Sequence, residues 1–153
     1  RGFVWGGGAA GGRFRFAPAS QVVGGWAGPG GGVEHDETQL EALRRELDEE
    51  IGLAVETEPP HVWHERIVAQ GHAEGYDGVV NDYYLIKTDG FELQGSLSAE
   101  MLLAENITHF RWWTLDELGT HRGEAVFAPR NLAALLTELL RDGVPEEPRV
   151  VGL

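Results

Sequence analysis

The sequence predicts an α/β layered domain with a mixed β-sheet between helices. Three observations predict it: a capped helical segment from Thr38 to Gly52, a leucine-rich amphipathic segment after Pro129, and runs of β-branched and aromatic residues interleaved with them. Interleaved strands and helices favour this layering because each helix buries one stripe and needs a sheet face to cover. At 153 residues with 42% hydrophobic content, the chain suits one domain spanning 1–153.

In chain order, residues 1–32 carry an unusual share of the 22 glycines, in runs such as Gly6-Gly7-Gly8 and Gly30-Gly31-Gly32. Glycine loses much conformational freedom on folding. Residues 1–20 are therefore expected to be mobile or an incomplete beginning, the more so because the chain opens at Arg1. Arg13-Phe14-Arg15-Phe16 alternates as a strand does, and Gln21-Val22-Val23 is a weaker candidate. The first helix begins at Thr38, with Glu41 three residues on to complete a capping box, and Gly52 stops it. Leu40, Leu43, Leu47 and Ile51 form its apolar stripe. Pro59-Pro60 breaks the chain, and residues 61–68 and 82–87 then read as strands joined by the polar stretch 69–78. A short helix is expected over 98–104, a strand over 107–114 with Phe110 and Trp112 on one face, and a helical turn from Leu115. Leu132, Leu135, Leu136, Leu139 and Leu140 complete the pattern as a helix that covers the sheet.

Composition limits the function. A formal net charge of −13 argues against duplex nucleic acid or an anionic membrane as partner, since both need a basic surface. An anionic substrate would need a bridging cation. With no cysteine there are no disulfides, thiolate metal sites or cysteine nucleophiles. No apolar run approaches the roughly 20 residues of a membrane-spanning helix, and no signal peptide is apparent. A cytoplasmic protein is the expectation.

The informative segment is 30–53. At 100° per residue Glu46, Glu49 and Glu50 fall within about 100° of arc, beside the apolar stripe. An acidic helix face is most often just solvated, but three crowded carboxylates repel, and Arg45 alone cannot neutralise them. Hard divalent cations such as Mg2+ or Mn2+ prefer oxygen ligands and keep positions open for water and phosphate. The preceding glycines would let backbone approach a metal or phosphate closely.

The flanking residues sharpen this. Gly31, five residues, Glu37, seven residues, then Arg45-Glu46-Leu47-Asp48-Glu49-Glu50-Ile51-Gly52-Leu53 match every fixed position of the Nudix box, and the chain is similar to the MutT-like Nudix hydrolases. Trp26-Ala27-Gly28-Pro29-Gly30-Gly31-Gly32 resembles the lead-in of that family, and residues 110–118 resemble its later strand-then-helix segment. The likeness runs from about Trp26 to Leu140.

The resemblance implies a Nudix-type α/β/α sandwich and a pyrophosphohydrolase acting on a small nucleotide substrate with Mg2+ or Mn2+. It implies Glu46, Glu49 and Glu50 as the metal carboxylates, with the Gly31 backbone carbonyl as a further ligand. Arg45 and Glu37 take supporting roles, the arginine holding the carboxylates in position. Water activated by the metal attacks phosphorus, and a carboxylate accepts its proton. Glu46 is one candidate for that base and Glu105 the second, with Glu100 competing for the later position. No second signature selects a substrate: Val68-Ala69-Gln70 stands where a proline would point to ADP-ribose, and Pro59-Pro60 comes too early. The expectation is a nucleoside diphosphate linked to another moiety, with a homodimer also expected from relatives. The rival is a nucleotide-binding or regulatory module without turnover. Histidines 61, 64 and 72 and the strand aromatics receive no role. One departure stands out: a leucine- and valine-rich first strand is usual in the family, and here the sequence is glycine-rich, which leaves open whether that strand is present.

Overall fold

The computed structural model describes residues 2–6, 13–19, 25–67, 78–88, 94–123 and 126–152. Among these it forms eight strands: β1 (Gly2–Gly6), β2 (Arg13–Ala19), β3 (Gly25–Ala27), β4 (His61–Ile67), β5 (Val79–Thr88), β6 (Arg111–Thr114), β7 (Val126–Ala128) and β8 (Arg149–Val151). Four helices accompany them: α1 (Gln39–Ile51), α2 (Ala99–Ala104), α3 (Leu115–Thr120) and α4 (Leu132–Asp142). Two expected elements, residues 21–23 and most of 69–78, lie outside the described residues, as does His72.

The strands join in the order β7-β3-β2-β1-β5-β4-β8, with β6 pairing β2. Parallel pairs (β1 with β5, β3 with β7, β4 with β8) and antiparallel pairs (β1 with β2, β2 with β3 and β6, β4 with β5) make the sheet mixed. Alternation along β5 divides the core between its faces. Tyr83 and Leu85 join Val62, Trp63, Trp113, Leu118, Leu132, Leu136 and Leu139 on the side of α3 and α4. Tyr84 and Ile86 join Leu43, Leu47 and Ile51 of α1 on the other. Helices on both faces of one sheet make the predicted sandwich, and the stripes of α1 and α4 face it as their spacing predicts, except that Leu140 of the expected α4 stripe is exposed.

At the chain start the strand that the sequence left open is present. β1 pairs in parallel with β5 from Gly2 opposite Tyr84 to Gly6 opposite Thr88, and β2 pairs antiparallel to it. The central residues of β1, Phe3-Val4-Trp5, are aromatic and β-branched strand formers, which the glycine runs following them obscured. The strand expected over 107–114 is shorter, beginning at Arg111, with Ile107 buried ahead of it. Among the described residues no helix is long and apolar enough to cross a membrane.

Candidate active site

Helix α1 supplies the centre of the site, and both of its ends are fixed. Thr38 accepts a hydrogen bond from the Glu41 N–H, and Glu41 Oε2 accepts one from the Thr38 N–H at 2.8 Å, completing the capping box. Gly52 adopts φ 71°, a left-handed conformation that suits glycine, and its N–H reaches Asp48 O at 3.0 Å. The last turn docks on the chain before α2: the Leu97 N–H donates to Glu49 O at 3.0 Å, and Gly95 lies so close that a Cβ there would come within 2.1 Å of that oxygen. Ser98 then caps α2, whose C-cap residue is Glu105. The end of α1 and the position of Glu105 are thus tied through residues 94–98.

Arg45 organises the acidic face. Its Nε and Nη2 donate to the two oxygens of Glu37 at 2.9 and 3.0 Å, a bidentate fork. Its Nη1 donates to Glu46 Oε1 at 2.9 Å and to Glu49 Oε2 at 3.2 Å, and its Nη2 reaches Gly32 O at 3.2 Å. These bonds raise the Arg45 pKa above its already high value, with Glu37 the largest cause, and the same arginine lowers that of Glu37. Glu46 moves the other way: burial, aided by the charges of Glu105 and Glu49, raises its pKa although Arg45 opposes the shift.

Glu46, Glu50 and Glu105 each offer a carboxylate oxygen, and these oxygens lie within 4.8 Å of one another. Glu46 and Glu50 are buried and Glu105 is exposed. The Gly30 N–H donates to Glu50 Oε2 at 3.1 Å. A Cβ on Gly31 would fall 2.3 Å from Glu46 Oε1, so only glycine lets the loop lie against that carboxylate. A cleft of about 460 Å³ opens over the group, lined among others by Gly31, Val33, Arg45, Glu46, Glu50 and Glu105.

The expected triad therefore takes a modified form. Glu46 and Glu50 converge, but Glu49 stands beside them and shares the Arg45 nitrogen that holds Glu46, while Glu105 completes the group of three. Glu100 lies in the first turn of α2 and outside that group. The sequence reading missed the Gly30 N–H bond, the close approach at Gly95 and a second cluster, His61, His64 and Asp82. Residues 30–32 were already marked by their glycines. The other two depend on contacts between segments distant in sequence.

Residues 15–136 match the family model for the NUDIX domain. The chain is a member of the Nudix hydrolase family. Over 97 residues it is 33% identical to the nucleoside triphosphatase NudI of Enterobacter sp. (strain 638), a match covering 62% of this chain and 65% of that protein. The match thus spans about two thirds of the curated relative's length, slightly less in fact. The fold is similar to the crystal structure of a Caenorhabditis elegans Ap4A hydrolase binary complex, at TM-score 0.60 and 20% identity, covering 92% of this chain and 94% of that one. It is also similar to the NUDIX domain of Shewanella oneidensis NrtR complexed with ADP ribose, at TM-score 0.64 and 14% identity, covering 91% and 84%.

Proposed function

We propose that this Nudix protein is a divalent-metal-dependent hydrolase that cleaves the diphosphate linkage of a nucleoside diphosphate joined to another moiety. The observation that carries the reading is the gathering of Glu46, Glu50 and Glu105 oxygens within 4.8 Å beneath a glycine loop at the floor of a cleft. Grouped carboxylates fit a hard cation, because their donors are oxygens and their mutual repulsion falls when one binds. Glu46 and Glu50, with Glu49 beside them and Glu105 facing them, would hold the ion, with the Gly31 carbonyl as a further donor. A bound divalent ion neutralises diphosphate oxygens and acidifies water.

The protein's own groups do the rest. Glu37 fixes Arg45, and Arg45 fixes Glu46 and Glu49, so the carboxylates meet the substrate already oriented. A water oxygen attacks phosphorus, the bond from that phosphorus to the bridging oxygen breaks, and the leaving phosphate departs with the bridging oxygen. Glu46 is the first acceptor for the proton released by the water. Glu105 is the alternative acceptor. NudI by its name acts on nucleoside triphosphates, and the C. elegans enzyme on Ap4A, so both substrate types belong in the test.

The test is a panel of nucleoside triphosphates, dinucleoside polyphosphates and nucleotide sugars with Mg2+ or Mn2+, read by release of nucleoside monophosphate, phosphate or pyrophosphate. Turnover that needs the metal is expected. Glu46→Gln should reduce it by about 10²–10⁴-fold with the circular dichroism spectrum unchanged, and Glu105→Gln compared alongside assigns the base. Nucleotide binding without turnover across the panel would instead favour a regulatory module.

A further inference from the structure

On the α1 face of the sheet, away from the glutamate group, two histidines and an aspartate converge. His61 Nε2 lies 3.0 Å and His64 Nδ1 2.8 Å from the same oxygen, Asp82 Oδ1. These ligand atoms all fall within 4.8 Å of one another. Residues three apart on a regular strand point to opposite faces. Here they do not, because the β4–β5 register shifts between His61 and Trp63: His61 stands opposite Tyr84 and His64 opposite Asp82, three residues on β4 against two on β5. Such a bulge re-aims side chains and is common beside functional sites. Val62 and Trp63 stay buried in the opposite core, so the two imidazoles share one face through this irregularity.

Surrounding residues hold the three groups in place. Gln39, the first residue of α1, donates from Nε2 to Asp82 Oδ2 at 2.7 Å, which leaves Oδ1 turned to the imidazoles. The His61 ring stacks on Tyr84 with centroids 4.9 Å apart and planes 24° from parallel. His61 Nε2 also lies 3.1 Å from Trp63 O. Side-chain exposures of 30%, 39% and 11% for His61, His64 and Asp82 leave the group open to solvent.

We propose that His61, His64 and Asp82 form a second metal site, for a borderline transition-metal ion such as Zn2+ and separate from the hard-cation site at Glu46. Two imidazole nitrogens and one carboxylate oxygen are a ligand set that zinc and related ions take, with positions left for water. Ligand atoms around tetrahedral zinc sit about 3.3 Å apart, so the pairs at 2.8 and 3.0 Å need to open only by a few tenths of an ångström. Gln39 supplies the carboxylate-orienting hydrogen bond that metal sites use. An ion here would join β4 to β5 and, through Gln39, to the start of α1. Asp82, Gln39 and Glu46 line one cleft of about 280 Å³, so the ion would stand on the wall of a space that also reaches the glutamate group.

The experiment titrates the whole chain with ZnCl2 alone, by calorimetry and by the imidazole ¹⁵N resonances. One equivalent is expected to saturate in the wild type and in Glu46→Gln, with only His61 and His64 resonances shifted. His64→Ala and His61→Ala should each weaken binding by about tenfold or more. Absence of a saturable equivalent, wild-type affinity in both histidine variants, loss of binding in Glu46→Gln, or shifts confined to other histidines would overturn the proposal. Should a variant fail to fold, the wild-type resonances decide alone.

Discussion

At the scale of single residues the site depends on close packing against Glu46. The Glu46 carboxylate is buried, is fixed on one oxygen by Arg45, and has the Gly31 backbone against it. A methyl group at 31 meets Glu46 Oε1 at 2.3 Å, a distance that forces one of them to move. The loop bearing Gly31 is exposed while Glu46 sits in a helix closed at both ends, but the carboxylate has its own rotamers and gives way first. Gly31→Ala is therefore expected to turn Glu46 out of the group and lower Mg2+ affinity by about 10–100-fold, with little change in the melting temperature of the metal-free protein. Calorimetric titration with Mg2+ checks it, and unchanged affinity would show that the close approach does not matter. Much of this was readable beforehand. The box fixed Gly31, Glu37, Arg45 and Glu46, because their spacing on one helix and its preceding loop is a local property. Glu105 was marked only as a second candidate base; that its carboxylate gathers with those of Glu46 and Glu50 was not readable, because α2 and its docking on α1 set its position.

At the scale of elements, helices were legible through their ends. Thr38 with Glu41 and Thr114 with Glu117 both form capping boxes, and Ser98 caps α2. In the second box the Thr114 N–H donates to Glu117 Oε2 at 2.7 Å, and Thr114 Oγ1 accepts from the Glu117 N–H at 3.2 Å. Strands were less legible, since the glycine runs after β1 obscured it and the bulge in β4 leaves no mark in a seven-residue run of mixed side chains. Thr114→Ala should cost about 1 kcal/mol, or about 2–4 °C in melting temperature for a domain of this size. The caps also set part of the acid response. Hydrogen bonds from Thr38 lower the pKa of Glu41, and those from Thr114 lower that of Glu117, both from 4.5. A carboxylate with a depressed folded pKa stabilises the protein above its unfolded value, and that stability is lost as pH falls through the folded one. The stabilisation should be complete above about pH 5 and fade below about pH 4.5. A Thr38→Ala, Thr114→Ala double variant is expected to lose less stability than the wild type between about pH 5 and pH 3. Urea melts across that range provide the comparison, and parallel curves would deny the caps this role.

For the whole molecule, the site is assembled across the sheet, and β1 holds the two sides together. On one flank β1 pairs with β5, whose Tyr84 and Ile86 support α1 and so Glu46 and Glu50. On the other it pairs with β2, which carries β6, and Glu105 lies on the chain leading into β6. Without β1 the long strand β5 would present one unpaired edge and β2 another, and the carboxylates of α1 would lose one of their two backbone links to Glu105. Deleting residues 1–6 is therefore expected to broaden thermal unfolding and lower its midpoint, because a central strand rather than an edge has gone. Exposed strand edges recruit other chains, so size-exclusion chromatography should also show association. Mg2+ should no longer raise the melting temperature, since that rise requires a formed site in the folded state. A shortened chain that melts as sharply as the full one, at the same temperature and with the same Mg2+ response, would mean that α1 and the Glu105 segment are held together without β1, leaving contacts such as that of Leu97 with Glu49 to do it alone.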